Sequence, residues 1–279
     1  MTLTFKNRLG TIILYGSGDH LFNICAIEGL EPPAKVRHLQ SYVSEDGCIE
    51  SSSQYNQRII TISADTKCDN NIPSQLKKAA RILCEKGTLL IDNGEDKKVI
   101  NVDAATLTIG KRYNNYLTFV IQLTCDFPHF SDPEPTTTAL FKKINYLNKD
   151  AKFPLVLTER ISDGNVENLG DVKLYPLIRI TKTVDSLGEN SITITNHTTG
   201  KSLIFNKEMV LGEVIDIDIE IRKVTSNVVG NVLKTLDRYH SLSDMWCDVG
   251  INDISVVVGG SNRGISVQFI YTNKYTEAI

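Results

Sequence analysis

The sequence predicts a protein made mostly of β-strands, and three observations lead to this fold class. Apolar residues recur with a period of two, which places them on one face of an extended strand. Turn signals separate many short segments of this kind, which is typical of sandwiches and barrels. One amphipathic helix interrupts the pattern. At 279 residues and 41% hydrophobic content, the chain can bury one large or two medium domains, and we take two as the working number.

Alternation is clearest along residues 117–125 and, more strictly, along residues 215–222. A strand covered on both faces would be a continuous apolar run, so this alternation indicates antiparallel sheets with one exposed face. Further predicted strands lie at residues 11–15, 58–63, 99–102, 172–180, 191–195, 255–258 and 265–271. The turn signals that bound them are Asp46-Gly47, Asn93-Gly94, Asp163-Gly164, Leu187-Gly188 and Gly259-Gly260.

The predicted helix covers about residues 73–86. Pro73 suits its first turn, because that turn leaves the backbone N–H groups unpaired anyway. Gly87 stands where helices often end in a left-handed residue. One stripe of apolar residues follows helical spacing and should pack across a sheet: Leu76, Ala79, Ala80 and Leu83. Residues 228–239 carry a weaker helical pattern, because the segment before them is rich in β-branched residues.

The domain boundary is predicted where proline interrupts the chain. Pro128, Pro133 and Pro135 fall within eight residues, and each removes a backbone donor, so a strand cannot continue through them. The predicted division is an N-terminal β domain over residues 1–127, a proline-rich linker over 128–135 and a C-terminal β-sandwich over 136–279.

Composition excludes several classes of function. The net charge is −3 and the isoelectric point about 6.0, so the basic stripe of a nucleic-acid-binding protein is missing. The sequence shows neither a signal peptide nor a run of about 18 apolar residues, which predicts a protein made in the cytoplasm with no membrane span. The six cysteines are scattered, and we expect reduced and mostly buried thiols.

No catalytic motif stands out. Ser74 and Lys77 have Ser-x-x-Lys spacing without the companion Lys-Thr-Gly, and Gly16-Ser17-Gly18 lacks the rest of a phosphate-binding loop. None of the five histidines has a second histidine at metal-binding spacing. Trp246 is expected in the core or between domains. We therefore predict no catalytic site, no bound cofactor and no dedicated metal site.

Three carboxylates form the weak exception. Asp216, Asp218 and Glu220 alternate with isoleucines, so on one continuous strand they would share a face. Such a face could recruit a hard cation or a basic partner strand. The simpler interpretation is a solvated face whose negative charges are offset by a Lys or Arg on the neighbouring strand.

The order of several short segments resembles the distal tail protein (Dit) family of long-tailed phages over nearly the whole chain. In the N-terminal half these segments are residues 27–30, 46–47, 55–62, the helix, 89–92 and 125–130. In the C-terminal half, where the match is stronger, they are residues 153–155, 168–172, 175–178, 196–201, 212–213, 243–246 and 250–252. The acidic turn at 187–190 departs from the compact link that relatives often have.

The resemblance implies an N-terminal β-barrel or split-barrel domain with one packed helix, followed by a galectin-like β-sandwich. It implies a structural baseplate protein of the virion tail that forms a homo-hexamer ring. In that family the ring surrounds the DNA channel without binding DNA specifically. It joins the tail tube to the tail-tip hub protein and carries receptor-binding proteins at its rim. No enzymatic activity is implied.

Three alternatives remain open at the level of sequence. A galectin-like sandwich could hold sugar, which would make the chain a carbohydrate-binding adsorption protein of the tail tip. A hydrolase would need a pair of carboxylates that no spacing here indicates. A tail-tube subunit would not need a second sandwich.

Overall fold

The computed structural model describes residues 1–16, 22–42, 44, 46–67, 72–113, 116–140, 142–145, 158–183, 191–258 and 265–278. The chain divides into two compact units. Residues 1–133 and 275–279 form unit 1, and residues 134–274 form unit 2.

This division differs from the predicted boundaries at both ends of the sandwich. Pro128 and Phe130, placed in the predicted 128–135 linker, are buried in unit 1. The last five residues, assigned by the sequence to the 136–279 domain, return to unit 1. A prediction along the chain could not find this return, because it depends on a contact between distant segments.

Unit 1 contains two sheets and one helix around a common core. Its strands are β1 (Thr2–Asn7), β2 (Gly10–Tyr15), β3 (Asn23–Glu28), β4 (Lys35–Ser41), β5 (Cys48–Tyr55), β6 (Arg58–Lys67), β7 (Gly87–Asp92), β8 (Lys97–Val102), β9 (Ala104–Tyr113), β10 (Tyr116–Cys125) and β11 (Phe130–Ser131), and its helix is α1 (Ile72–Leu83). The sheet orders are β2-β1-β7-β8-β11-β23 and β3-β6-β10-β9, with β23 at Lys274–Tyr275, while β4 and β5 pair only with each other.

Unit 2 is a sandwich of two antiparallel sheets. Its strands are β12 (Thr136–Leu140), β13 (Lys142–Asn145), β14 (Thr158–Asn168), β15 (Leu177–Lys182), β16 (Ile192–Asn196), β17 (Lys201–Phe205), β18 (Val214–Asp218), β19 (Lys223–Ser226), β20 (Gly230–Asn231), β21 (Gly250–Val258) and β22 (Ile265–Tyr271). The sheet orders are β12-β22-β15-β18-β19-β20 and β13-β14-β21-β16-β17. One hydrophobic core lies between the two sheets.

The mostly β fold class with one α-helix is confirmed in the described residues. The alternation along residues 117–125 becomes β10, whose residues 119, 121, 123 and 125 are buried. Residues 265–271 form β22 with strictly alternating burial. Of the turn signals, Asp46-Gly47 lies between β4 and β5 and Asn93-Gly94 between β7 and β8, whereas 187–188 and 259–260 lie outside the described residues.

The helix is shorter than predicted. It ends at Leu83 rather than Lys86, and Gly87 begins β7 instead of capping the helix. A Cβ at Gly87 would come within 2.5 Å of the Phe5 ring, so glycine allows two strands to approach closely. On the helix, Ala79, Ile82 and Leu83 are buried and Ala80 is exposed.

Two other local predictions were wrong. Residues 228–239 contain β20 and a short 3-10 turn at Leu233–Thr235 instead of a helix, because β-branched residues and Gly230 favour extended structure there. Asp163-Gly164 lies inside β14 rather than in a turn, and Gly164 makes room for the Leu140 side chain.

The thiols also differ from expectation. Among the described residues, Cys25, Cys48 and Cys84 are exposed, and Cys125 and Cys247 are buried. Burial raises the pKa of both buried thiols to about 12. In the described part of the chain, no helix has the length and apolar character that crossing a membrane requires.

Candidate functional site

The three carboxylates proposed as a cation-binding face do not act together. β18 ends at Asp218, so Glu220 lies in the following turn. Arg179, directly opposite Asp216 on β15, donates to both of its carboxylate oxygens at 2.7 and 2.9 Å. Asp218 accepts a backbone N–H of the turn at 3.0 Å, and Lys274 donates to Glu220. Among the described residues, no three His, Cys, Asp or Glu side chains come together as metal ligands.

The remaining sequence candidates are also dispersed. Ser74 and Lys77 lie exposed on α1. His197 Nε2 lies 2.8 Å from Ser255 Oγ at an exposed position of the sandwich. Ser17, Gly18 and His20 lie outside the described residues. Trp246 is half-buried, its indole N–H donates to Asp248 at 3.1 Å, and Lys173 Nζ lies 4.9 Å from its ring centre. No catalytic constellation emerges from these residues.

Arg58 organises the segments of unit 1 that carried the resemblance. Its side chain is buried and donates four hydrogen bonds of 2.6 to 2.8 Å to backbone carbonyls. The acceptors are Pro128, Gly29, Glu31 and Thr276. The guanidinium also lies 4.5 Å from the centre of the Phe130 ring. Burial lowers the pKa of Arg58, yet a guanidinium remains charged at every physiological pH. One side chain of β6 therefore joins three other segments of the chain, around residues 29–31, 128 and 276.

Gly29 directly follows β3 and lies close to the start of β6. Its φ of +90° is in the left-handed region, and a Cβ there would lie 2.2 Å from the carbonyl oxygen of Ile59. Only glycine satisfies both conditions without strain. Gly29 and Arg58 together fix the backbone of residues 29–31, just before β4 begins at Lys35.

The β4–β5 hairpin is the most unusual surface of unit 1. Every described residue of β4 and β5 except Tyr55 is exposed, and the pair forms its own two-stranded sheet. Exposed apolar side chains lie on both of its faces. From the strand register, Leu39 lies on the face of the Arg37–Glu50 ion pair, and Ile49 lies on the opposite face. An isolated two-stranded hairpin is marginally stable in water, so this hairpin is suited to contact with another chain.

A second exposed surface runs along the edge of the four-stranded sheet. β9 is one of the two edge strands of this sheet, and its residues from Thr108 to Tyr113 are all exposed. Ile109 and Tyr113 are 58% and 60% exposed, and Tyr116 at the start of β10 is 47% exposed. Unpaired backbone groups along a long edge strand favour pairing with another strand.

Three fully buried asparagines lie in the segments of unit 2 that carried the resemblance. Asn168, Asn196 and Asn252 each have at most 1% exposure. Asn196 Nδ2 donates to the Trp246 carbonyl at 2.8 Å and to Asn252 Oδ1 at 3.4 Å. Asn168 Nδ2 donates to the Val172 carbonyl at 2.9 Å. These amides pair backbone groups of loops that would otherwise be buried without partners, so these segments hold the end of the sandwich together.

Glu213 is a buried carboxylate in the same unit. Lys207 Nζ lies 2.8 Å from its Oε1, which also accepts a hydrogen bond from Ser226, and Val210 N–H donates to its Oε2 at 3.0 Å. Burial alone would raise the pKa of Glu213, but these hydrogen bonds outweigh burial and lower it. The carboxylate therefore fixes the loop between β17 and β18.

No protein-family model matches the sequence, and none of the curated proteins matches it. Among solved structures, the Dit protein of phage SPP1 is similar over 98% of both chains, with a TM-score of 0.67 and 11% identity. That protein is described as a paradigm of the hub adsorption apparatus in phages that infect Gram-positive bacteria. A chain of the phage P2 baseplate in its activated conformation aligns over 99% of both chains with a TM-score of 0.47 and 12% identity. The similarity to the SPP1 Dit protein shows that the present chain has the fold of a phage distal tail protein, as its sequence predicted.

Proposed function

We propose that this chain is a structural protein of a phage tail, a distal tail protein that assembles into a closed ring. Fold by itself does not establish function, so the proposal needs a feature of this molecule that calls for assembly. The observation that carries it is the β4–β5 hairpin, whose two faces are exposed and carry apolar side chains.

A ring fits the available surfaces. Rings of three or more subunits use heterologous contacts, in which two different surfaces of each subunit meet. Unit 1 offers two different surfaces of this kind, the projecting hairpin and the long edge of β9. In the proposed ring, the hairpin of one subunit contacts unit 1 of its neighbour, and six subunits close the circle.

The other parts of the proposal rest on the resemblance to the distal tail protein family. The ring would connect the tail tube to the tail-tip hub and hold receptor-binding proteins at its rim. DNA would pass through the channel, and a chain with net charge −3 would not retain it by counterion release. The proposed role requires shape and contacts, and no chemical step at any residue.

Native mass spectrometry of the full chain tests the proposal. Six copies of 31.1 kDa give a particle of about 187 kDa. Substituting Ile49→Asp should abolish that species and leave folded monomer, because a charge placed in an apolar contact is strongly unfavourable. The matched control is Ile251→Asp, which should leave the ring intact. Ile251 is an exposed strand residue of unit 2, with 62% exposure against 51% for Ile49.

Negative-stain images separate the remaining structural alternatives. Isolated six-fold rings are expected, whereas self-propagating tubes would identify a tail-tube subunit. A monomeric wild-type chain at micromolar concentration, or rings unaffected by Ile49→Asp, would contradict the proposal.

The alternative of a carbohydrate-binding adsorption protein requires an aromatic platform with converging polar groups. Trp246, the single tryptophan, is half-buried and already engages Lys173 and Asp248. Its surroundings give no support to neutral sugar binding at this side chain.

A further inference from the structure

The segment of residues 232–242 crosses unit 2 from one sheet to the other. Val232 N–H donates to the Val224 carbonyl of β19 at 3.1 Å, and Asp237 N–H donates to the Ile204 carbonyl of β17 at 2.8 Å. Val232 and Leu242 are buried at its two ends. This segment and the turn before β19 bound an open cleft of about 380 Å³.

The cleft is lined by an excess of positive charge. Arg222, Lys234 and Arg238 contribute cations and His240 contributes an imidazole, and Asp237 is the only carboxylate among the described residues of the lining. Asp237 Oδ1 accepts the backbone N–H of Tyr239 at 2.9 Å. Within the described residues, the three cations have no ion-pair partner.

This charge is unexpected in an acidic chain. The protein carries a net charge of −3, and several exposed cations elsewhere are paired, as Lys97 is with Asp92 and Arg8 with Glu85. Like charges gathered in a concave surface repel each other and focus a positive potential outward. An anion entering the cleft would relieve that repulsion.

Arg222 supplies a second, independent observation. Among the described residues it is the only non-glycine residue with positive φ, at 56°. The left-handed conformation costs a residue with a side chain about 1 kcal/mol, and glycine avoids this cost. An arginine at such a position keeps a guanidinium at the cleft despite the strain, which is the pattern expected where a side chain has a function.

We propose that this cleft binds a phosphate group carried by a sugar. The guanidinium groups of Arg222 and Arg238 suit phosphate oxygens, because each can donate two parallel hydrogen bonds. Tyr239 is outside the cleft lining but follows Arg238 directly in the sequence, and it is 93% exposed. Its aromatic ring is therefore available to pack against a sugar whose phosphate is bound in the cleft.

Isothermal titration of the full chain with three probes tests this binding. Glucose 6-phosphate should bind, inorganic phosphate should bind more weakly, and glucose should show no heat of binding. Equal affinity for the two phosphates would remove the sugar from the proposal, and the absence of binding by either would overturn it. Tighter binding of a single-stranded oligonucleotide than of the phosphosugar would replace the sugar with nucleic acid.

Variants locate the site. Arg222→Gly removes the guanidinium and places glycine at a positive φ, which glycine adopts without strain. It should therefore weaken glucose 6-phosphate binding about tenfold, as for one lost charge-assisted hydrogen bond. The melting temperature should not fall. Tyr239→Ala should weaken the phosphosugar and leave inorganic phosphate unchanged. The control Lys77→Gln removes an exposed cation on α1 and should change neither. Unaltered binding by Arg222→Gly would show that phosphate binds elsewhere or only adventitiously.

Discussion

At the residue scale, two buried charges stabilise the chain by different means. Arg58 has its charge surrounded by backbone carbonyls, whereas Glu213 forms an ion pair with Lys207 and accepts hydrogen bonds. Both satisfy the requirement that a buried charge be paired or fully hydrogen-bonded. Each also fixes loops rather than strands, which gives the irregular segments of the fold a defined course.

Glu213→Gln should destabilise unit 2 by about 3 kcal/mol at pH 7, because it leaves the Lys207 ammonium without its carboxylate. Lys207 has only 12% of its side chain exposed, so water cannot replace the partner fully. Urea unfolding followed by Trp246 fluorescence reports on unit 2. The control is Asp216→Asn, which breaks a half-exposed pair with Arg179 and should cost about 1 kcal/mol or less.

Glu213→Gln should also make the free energy of unfolding less dependent on pH in the acid range. The folded pKa of Glu213 is lowered from its ordinary value of 4.5. The contribution of the Glu213 carboxylate to the free energy of unfolding is therefore present above the unfolded pKa and is lost as the pH falls through the folded pKa. The difference between wild type and Glu213→Gln should shrink as the pH is lowered below about 4.5. A difference that stays constant down to pH 3 would show that the carboxylate charge contributes nothing.

At the element scale, the sequence predicts best where a strand has one buried and one exposed face. β10 and β22 were found because burial imposes alternation on their residues. β4 and β5 are exposed on both faces, so nothing constrains their composition and only the Asp46-Gly47 turn signalled the hairpin. Gly87 and Gly164 were assigned to a cap and a turn, but each serves close packing that depends on a distant residue.

The helix gives a test of how unit 1 is held together. Leu83→Asp places an unpaired carboxylate at a side chain that is 1% exposed, and the expected cost is about 4 kcal/mol. Urea unfolding followed by far-UV circular dichroism should show the lower stability of unit 1. The unfolding midpoint of unit 2, followed by Trp246 fluorescence, should not change.

Ala80→Asp is the control, since Ala80 lies on the exposed side of the same helix and should cost about 1 kcal/mol at most. Protein concentration must be the same in all samples, because assembly would stabilise the folded chain. If Leu83→Asp and Ala80→Asp lowered the free energy of unfolding equally, α1 would not bury the face described above.

At the scale of the whole molecule, the chain leaves unit 1 at Pro133, builds unit 2 and returns at Tyr275. The candidate assembly surfaces lie in unit 1 and the cationic cleft lies in unit 2. The sequence does not predict that residues 275–279 return to unit 1, because they have no hydrophobic pattern of their own. The position of this segment depends on Arg58 and on the backbone of Leu30, more than 200 positions earlier in the chain.

Deleting residues 275–279 should destabilise unit 1 by about 3 kcal/mol and leave unit 2 unchanged. The deletion removes the Thr276 carbonyl from Arg58, which leaves part of a buried guanidinium without an acceptor. It also removes buried Ala278, whose N–H donates to Leu30 at 3.1 Å and whose carbonyl accepts from Asn93 at 3.1 Å. Glu277→Ala, an exposed change that keeps the backbone, is the control. If the deletion lowered the Trp246 midpoint as much as the unit 1 transition, the two units would unfold as one, and the return of the chain would stabilise both of them.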